Sequence, residues 1–201
     1  MIKAQDILTG LHAIANNYKS YAIIWHVIFY VFIIALIARW VPSNKLIAAL
    51  TCIPIISVAL FAWITGNPFN GIMFSVLAIL ILIFGLKASI QPINQSQLPF
   101  FIIGIFMIAF GLLYPHFIET NSIVKYSYAS PVGLIPCPTL SILIGFILLY
   151  NGFGSKSITL LFIAFGLFYG FFGVLKLTVK LDIILILGTL ALLTKYITDK
   201  I

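Results

Sequence analysis

Seven long stretches of this chain hold almost nothing that favours water: Tyr21–Val41, Leu46–Thr65, Ile72–Leu86, Leu98–Tyr114, Gly133–Tyr150, Ile158–Leu175 and Leu181–Ile197. Each approaches the ~20 residues that a helix needs to cross about 30 Å of hydrocarbon, the third being the shortest. The runs are continuous and lack the period-two alternation of outer-membrane barrel strands. Over the whole chain 63% of residues are hydrophobic and 7% charged, where a soluble domain carries about 25% charged residues. A core of 201 residues cannot hide so much apolar surface from water. The expected fold is therefore all-α: a polytopic transmembrane helical bundle of seven spans, one integral membrane domain over residues 1–201, with the lipid bilayer as its first partner. A bacterial inner (cytoplasmic) membrane is the expected location.

The formal charge of +7 comes from lysines and one arginine scattered singly near segment ends, as snorkelling side chains are. No basic cluster could neutralise several phosphates, so nucleic acid is not an expected partner. Orientation is not legible. Lys3, Lys19, Lys125, Lys176 and Lys180 fall on one side of a seven-span chain, and Arg39, Lys45, Lys87, Lys156, Lys195 and Lys200 on the other, which is five against six.

In residues 1–20, Ile7, Leu8, Leu11, Ile14, Ala15 and Tyr18 recur at helical spacing, with Lys3, Asp6, His12 and Asn16 off that stripe. The pattern predicts a short amphipathic helix in the membrane interface. Turn chemistry separates the later segments at Val41-Pro42-Ser43-Asn44, Gly66-Asn67-Pro68, Gln91-Pro92 and Asn151-Gly152. Gln91–Gln97 is the most polar short loop, and Pro115–Pro131 the longest connection. A weak internal repeat relates "CIPIISVAL" (Cys52–Leu60) to "CPTLSILIG" (Cys137–Gly145), and "IFGLK" (Ile83–Lys87) to "FFGVLK" (Phe171–Lys176). A three-plus-three inverted repeat would leave such traces.

The four acids, Asp6, Glu119, Asp182 and Asp199, avoid the middle of every span, which argues against a carboxylate proton relay. Absence of His-Glu-x-x-His argues against a metalloprotease. Asp182, with Lys176 and Lys180, reads as a polar turn at the membrane boundary. Trp25, Trp40, Trp63, Tyr114, Tyr126 and Tyr196 read as interfacial aromatics that need no ligand. Gly166, Gly170 and Gly173 offer a small-residue face for close helix packing within the chain.

Cys137 is the sharpest feature. Proline at 138 suits a first helical position, and the residue before a proline is pushed to extended conformations. These rules predict Cys137 at the N-cap with the helix starting at Pro138, its dipole favouring the thiolate. The helix is then too short to span, and Pro131–Ile135 must enter the membrane as non-helical backbone covered by protein or lining a cavity. The alternative is a helix start with Cys137 as a small buried hydrophobe. Cys52 reads as a packing residue. His26 is either a ligand or a satisfied interfacial histidine. Cys137, Cys52 and His26, with Met73 and Met107, are the soft donors from which a metal site could be built, though no local spacing joins them.

"PVGLIPCPT" resembles the Gly-Leu-Pro-Cys-Pro-Thr motif of an uncharacterised bacterial family of multi-pass membrane proteins, a domain of unknown function. Gly133, Leu134, Pro136, Cys137, Pro138 and Thr139 carry the likeness, with Ile135 inserted, and Tyr18 and Trp25 match its N-terminal helix loosely. The resemblance implies a multi-pass fold and no reaction. "GLIPCP" is also similar to a segment of nickel/cobalt efflux permeases, but their His-x4-Asp-His element is missing, which counts against nickel or cobalt.

These features lead to a small-solute or soft-metal-ion transporter or binding protein, with Cys137, Pro136, Pro138, Thr139 and Gly133 as candidate ligand-binding residues. Two alternatives are a thiol-disulfide protein pairing Cys137 with Cys52, which needs Cα atoms within about 7 Å, and an accessory membrane protein without a site. No cofactor, catalytic residue or oligomeric state is indicated.

Overall fold

A computed structural model of the chain describes residues 4–120 and 122–198, so Lys3, Asp199 and Lys200 fall outside it. The described residues form nine α-helices: α1 (Ala4–Asn17), α2 (Lys19–Ile37), α3 (Asn44–Ile64), α4 (Pro68–Leu86), α5 (Leu98–Leu113), α6 (Tyr126–Ala129), α7 (Pro136–Leu149), α8 (Lys156–Phe171) and α9 (Ile183–Thr198). Five stretches are long and apolar enough to cross a membrane: α2, α3, α4, α8 continued to Lys176, and α9 extended back to Lys180. They make the chain an integral membrane protein by length and composition. The apolar helices α5 and α7 are shorter, at 16 and 14 residues, or roughly 24 and 21 Å at ~1.5 Å per residue.

The breaks read from the sequence serve as helix caps. Ser43 accepts from Leu46 N, Asn67 from Asn70 N ahead of Pro68, and Ser155 from Ile158 N. These contacts satisfy amides that a helix start leaves open.

Helix α7 is the axis of the bundle. Of its 14 residues every one but Cys137 is buried, because α5, α8 and α9 pack around it. Its closest neighbour is α5, brought near by glycines facing each other. A Cβ on Gly104 would stand 2.7 Å from Gly145 O, and one on Gly145 would stand 2.7 Å from Gly104 O. We expect Gly145→Ala to force the two backbones apart and to cost about 1–3 kcal/mol, read as a lower unfolding temperature in detergent. The face of Gly166, Gly170 and Gly173 packs within the chain, against Thr189, Ile186 and Asp182.

The two cysteine-proline stretches differ in structure. Helix α3 runs on through Pro54 and pairs with α4, whereas α7 begins at its prolines and pairs with α5. Helix α2 is peripheral. Ile24, Val27, Val31, Ile34 and Ile37 are exposed along it, an apolar face suited to lipid.

Candidate functional site

The segment before α7 is non-helical and buried, from Pro131 through Ile135. Its amides are nevertheless paired. Val132 N donates to Ser130 O, Leu134 N and Ile135 N to Pro131 O, and Gly133 N to Thr139 Oγ1. Non-helical backbone at this depth survives because its polar groups are satisfied and protein covers it. Gly133 makes the turn with φ +73, and a Cβ there would enter the Trp25 ring. Trp25 is thus a buried packing partner, bonded through Nε1 to Ser57 Oγ at 2.9 Å, and not an interfacial aromatic.

The helix starts two residues earlier than the sequence predicts. Ile135 is the extended N-cap (φ −126, ψ 157) and Pro136 the first helical residue. Cys137 therefore lies inside the first turn. Prolines at 136 and 138 both occupy first-turn positions whose N–H groups have no intrahelical partner, so neither costs the helix a bond. Thr139 Oγ1 donates back to Ile135 O at 2.7 Å, locking the turn. Of the candidate ligand residues, Pro136 and Cys137 line a cavity, while Gly133, Pro138 and Thr139 build the break.

The cavity measures about 20 Å³, room for a single water or small ion. Here the Cys137 thiol donates to Asp182 Oδ2 at 3.2 Å, and Tyr114 OH donates to Asp182 Oδ1 at 2.6 Å. Asp182 is 1% exposed and Tyr114 0% exposed. Both correct the sequence reading: Asp182 is no boundary-turn residue, and Tyr114 is no interfacial aromatic. The chain after α8 turns the carboxylate inward. Residues Phe172–Lys176 widen into a π turn, Thr178 takes a left-handed φ of 58, and the 3-10 turn Lys180–Asp182 follows. The carboxylate lies directly against Gly173, where any side chain would collide with it. π turns and left-handed non-glycine residues concentrate at functional sites. Across the cavity Tyr169 OH donates to Asn70 Oδ1 at 3.0 Å.

Helix α1 roofs the site. Its predicted stripe is the covering face: Ile7 and Leu11 line the cavity, and Leu11, Ile14 and Ala15 are buried. Asn16, on the polar side of that stripe, clasps the loop after α5 by donating to Phe117 O and accepting from Glu119 N. In the same loop burial, and then the neighbouring His12, lower the pKa of His116. An open pocket of about 300 Å³ lies beside the roof, lined by Asp6, Thr65 and Asn67; Ile7, Asn70 and Phe172 line both spaces.

The structure does not bring Cys52 and His26 to Cys137. The Cys52 thiol faces Ala48 O and Ala78 O in the α3–α4 contact, and both cysteines are free thiols. His26 is 1% exposed, with Nδ1 2.8 Å from Ala22 O and Nε2 3.0 Å from Leu112 O and 3.2 Å from Ser130 Oγ. It ties α2 to the end of α5 and to the start of the break. Among the described residues no group of three or more His, Cys, Asp or Glu could hold a metal ion. Asp182 and Tyr114, 45 and 68 residues from their partners in the chain, were missed by sequence reasoning. The one available signal was an acid at the head of an apolar run.

The chain matches no family model, no curated protein and no solved structure. What the site can do rests on its own geometry: a thiol and a carboxylate lining one small cavity at the broken start of a buried helix, with the Tyr114 phenol bonded to the carboxylate.

Proposed function

We propose that this protein binds, and moves across the membrane, a small cation of the soft-metal class, with Cys137 and Asp182 as its ligands. One observation carries the reading. The Asp182 carboxylate is buried and bonded to two neutral donors, and no lysine or arginine lines its cavity. An uncompensated carboxylate in such a place needs a proton or a cation. The thiol beside it selects soft ions such as Cu(I), and an arriving ion would displace the proton that the thiol now donates to Asp182. Two donors with Tyr114 make a loose, low-coordination site, suited to an ion that must leave again. A transport role follows from the broken α7, and it requires α5 and α7 to count as spans beside the five longer ones. The inverted repeat is the remaining expectation of that reading.

The test is titration of purified protein in detergent with Ag⁺, a redox-inert stand-in for Cu(I). One ion per chain is expected. Cys137→Ala should weaken binding by an order of magnitude or more, while Cys52→Ala should bind normally and lose only packing, about 1 kcal/mol of stability or somewhat more. Equal Ag⁺ affinity in Cys137→Ala and the parent protein would overturn the assignment.

A further inference from the structure

A second site lies on the lipid-facing side of the molecule, away from Cys137. A groove of about 560 Å³ runs between α2 and α5, within the ~300–1,000 Å³ of small-molecule sites. Its shaft is apolar, formed by Leu36, Phe101, Ile105 and Ile108, with Phe146 of the central helix at its floor. Its polar lining is Arg39, Gln95 and Tyr150, residues at or just past the C-terminal ends of α2 and α7 and just before the start of α5. Gln95 comes from the polar Gln91–Gln97 loop. The groove is thus amphipathic along its length, with a single cation at the head.

Arg39 holds that place against a local preference. It is the residue just past the C-cap Ala38, with φ 67. Arg39 N donates to Leu36 O and Trp40 N to Ala35 O, a helix-ending turn in which the left-handed position is usually glycine. A residue with a Cβ costs about 1–2 kcal/mol there. The guanidinium meets no carboxylate or carbonyl among the described residues. A strained backbone thus presents an unpaired, always-charged fork at the mouth of an apolar shaft.

We propose that this groove binds one membrane lipid with an anionic headgroup. The phosphate pairs with Arg39, aided by Gln95 and Tyr150, and an acyl chain lies along the shaft. A guanidinium suits phosphate through parallel hydrogen bonds, and the groove opens where acyl chains are the solvent. The lipid then fills the space between α2 and α5 and fastens the peripheral α2 to the bundle.

The experiment adds phosphatidylglycerol or phosphatidylcholine with the same chains to protein in detergent, and counts bound lipid by native mass spectrometry. One phosphatidylglycerol should be retained about fivefold or more over phosphatidylcholine, as expected for one basic residue on an anionic lipid. Arg39→Gly relieves the left-handed strain, so it should fold as well as the parent and lose the preference. Ile105→Trp, at a position already 51% exposed, should plug the shaft and release the bound lipid. Equal retention of the two lipids, a preference surviving Arg39→Gly, or a lipid kept by Ile105→Trp would each overturn the proposal.

Discussion

Asp182→Asn is expected to weaken Ag⁺ binding roughly a hundredfold in a protein that still folds. Asparagine keeps the shape and an acceptor for Tyr114 OH, so the contact of 2.6 Å can persist. What disappears is the charge. Losing one charged partner of a desolvated ion contact costs about 2–5 kcal/mol, and ~3 kcal/mol is over a hundredfold in affinity. Without added metal the same variant should unfold at the parent's temperature or above it, because removing a buried charge that lacks a counter-ion removes a desolvation cost. Competition against a metal-responsive dye gives the affinity, and a thermal melt in detergent gives the stability. Parent-like Ag⁺ affinity in Asp182→Asn would leave Cys137 as an isolated thiol and end the two-ligand reading. A parallel loss of affinity and fold would make the carboxylate a structural strut. Asp182→Leu separates these further, since it removes the acceptor and leaves Tyr114 OH unpaired.

Gly133→Ala should be among the most damaging single-methyl changes in the chain. The left-handed backbone (φ +73) costs an L-residue about 1–2 kcal/mol, and driving a methyl into the buried Trp25 ring costs about 1–3 kcal/mol more. Trp25 has no easy retreat, because its indole N–H is bonded to Ser57 and its ring packs on Phe29. About 3 kcal/mol is thus expected, a large share of the stability of an ordinary domain. A thiol-reactive dye during heating measures it directly, as Cys52 and Cys137 become accessible when the bundle opens. Gly10→Ala on α1 is the contrast. A Cβ there meets nothing within 4 Å, so this change should be neutral or slightly stabilising through helix propensity. Similar melting of the two variants would mean that the Gly133 turn is not held against Trp25.

Much of the architecture was legible because membrane helices announce themselves locally. Continuous apolar runs, and turn residues between them, marked seven helical segments. Five are long enough to cross alone. Two apolar segments hold more than helix: Tyr114 is the C-cap of α5, and Gly133–Ile135, apolar in sequence, are the non-helical approach to α7. The break before α7 was also legible: "PVGLIPCPT" cannot be helical throughout, and Pro131–Ile135 enters as covered, hydrogen-bonded backbone. The helix start was misplaced by two residues because the pre-proline bias at Cys137 yielded to the first-turn tolerance for proline at both 136 and 138. The Gly104–Gly145 contact escaped notice for another reason. The two glycines lie in separate segments 41 residues apart, and nothing near either says that the other will face it.

What the sequence determined by itself is the class of the molecule and the place where its regularity fails: an all-α membrane chain with a non-helical break just before Cys137. Periodicity, hydropathy and proline stereochemistry act over a few residues and need no partner. Only the tertiary structure decided what Cys137 meets. In the sequence Asp182 stands beside Lys180 at the edge of an apolar run, which reads as a boundary turn, and Tyr114 ends a span as interfacial tyrosines do. The π turn at Phe172–Lys176 and the left-handed Thr178 rotate the carboxylate inward, while Lys180 stays exposed. Which way a side chain points at a helix junction depends on packing between elements far apart in the chain, and there the site was made.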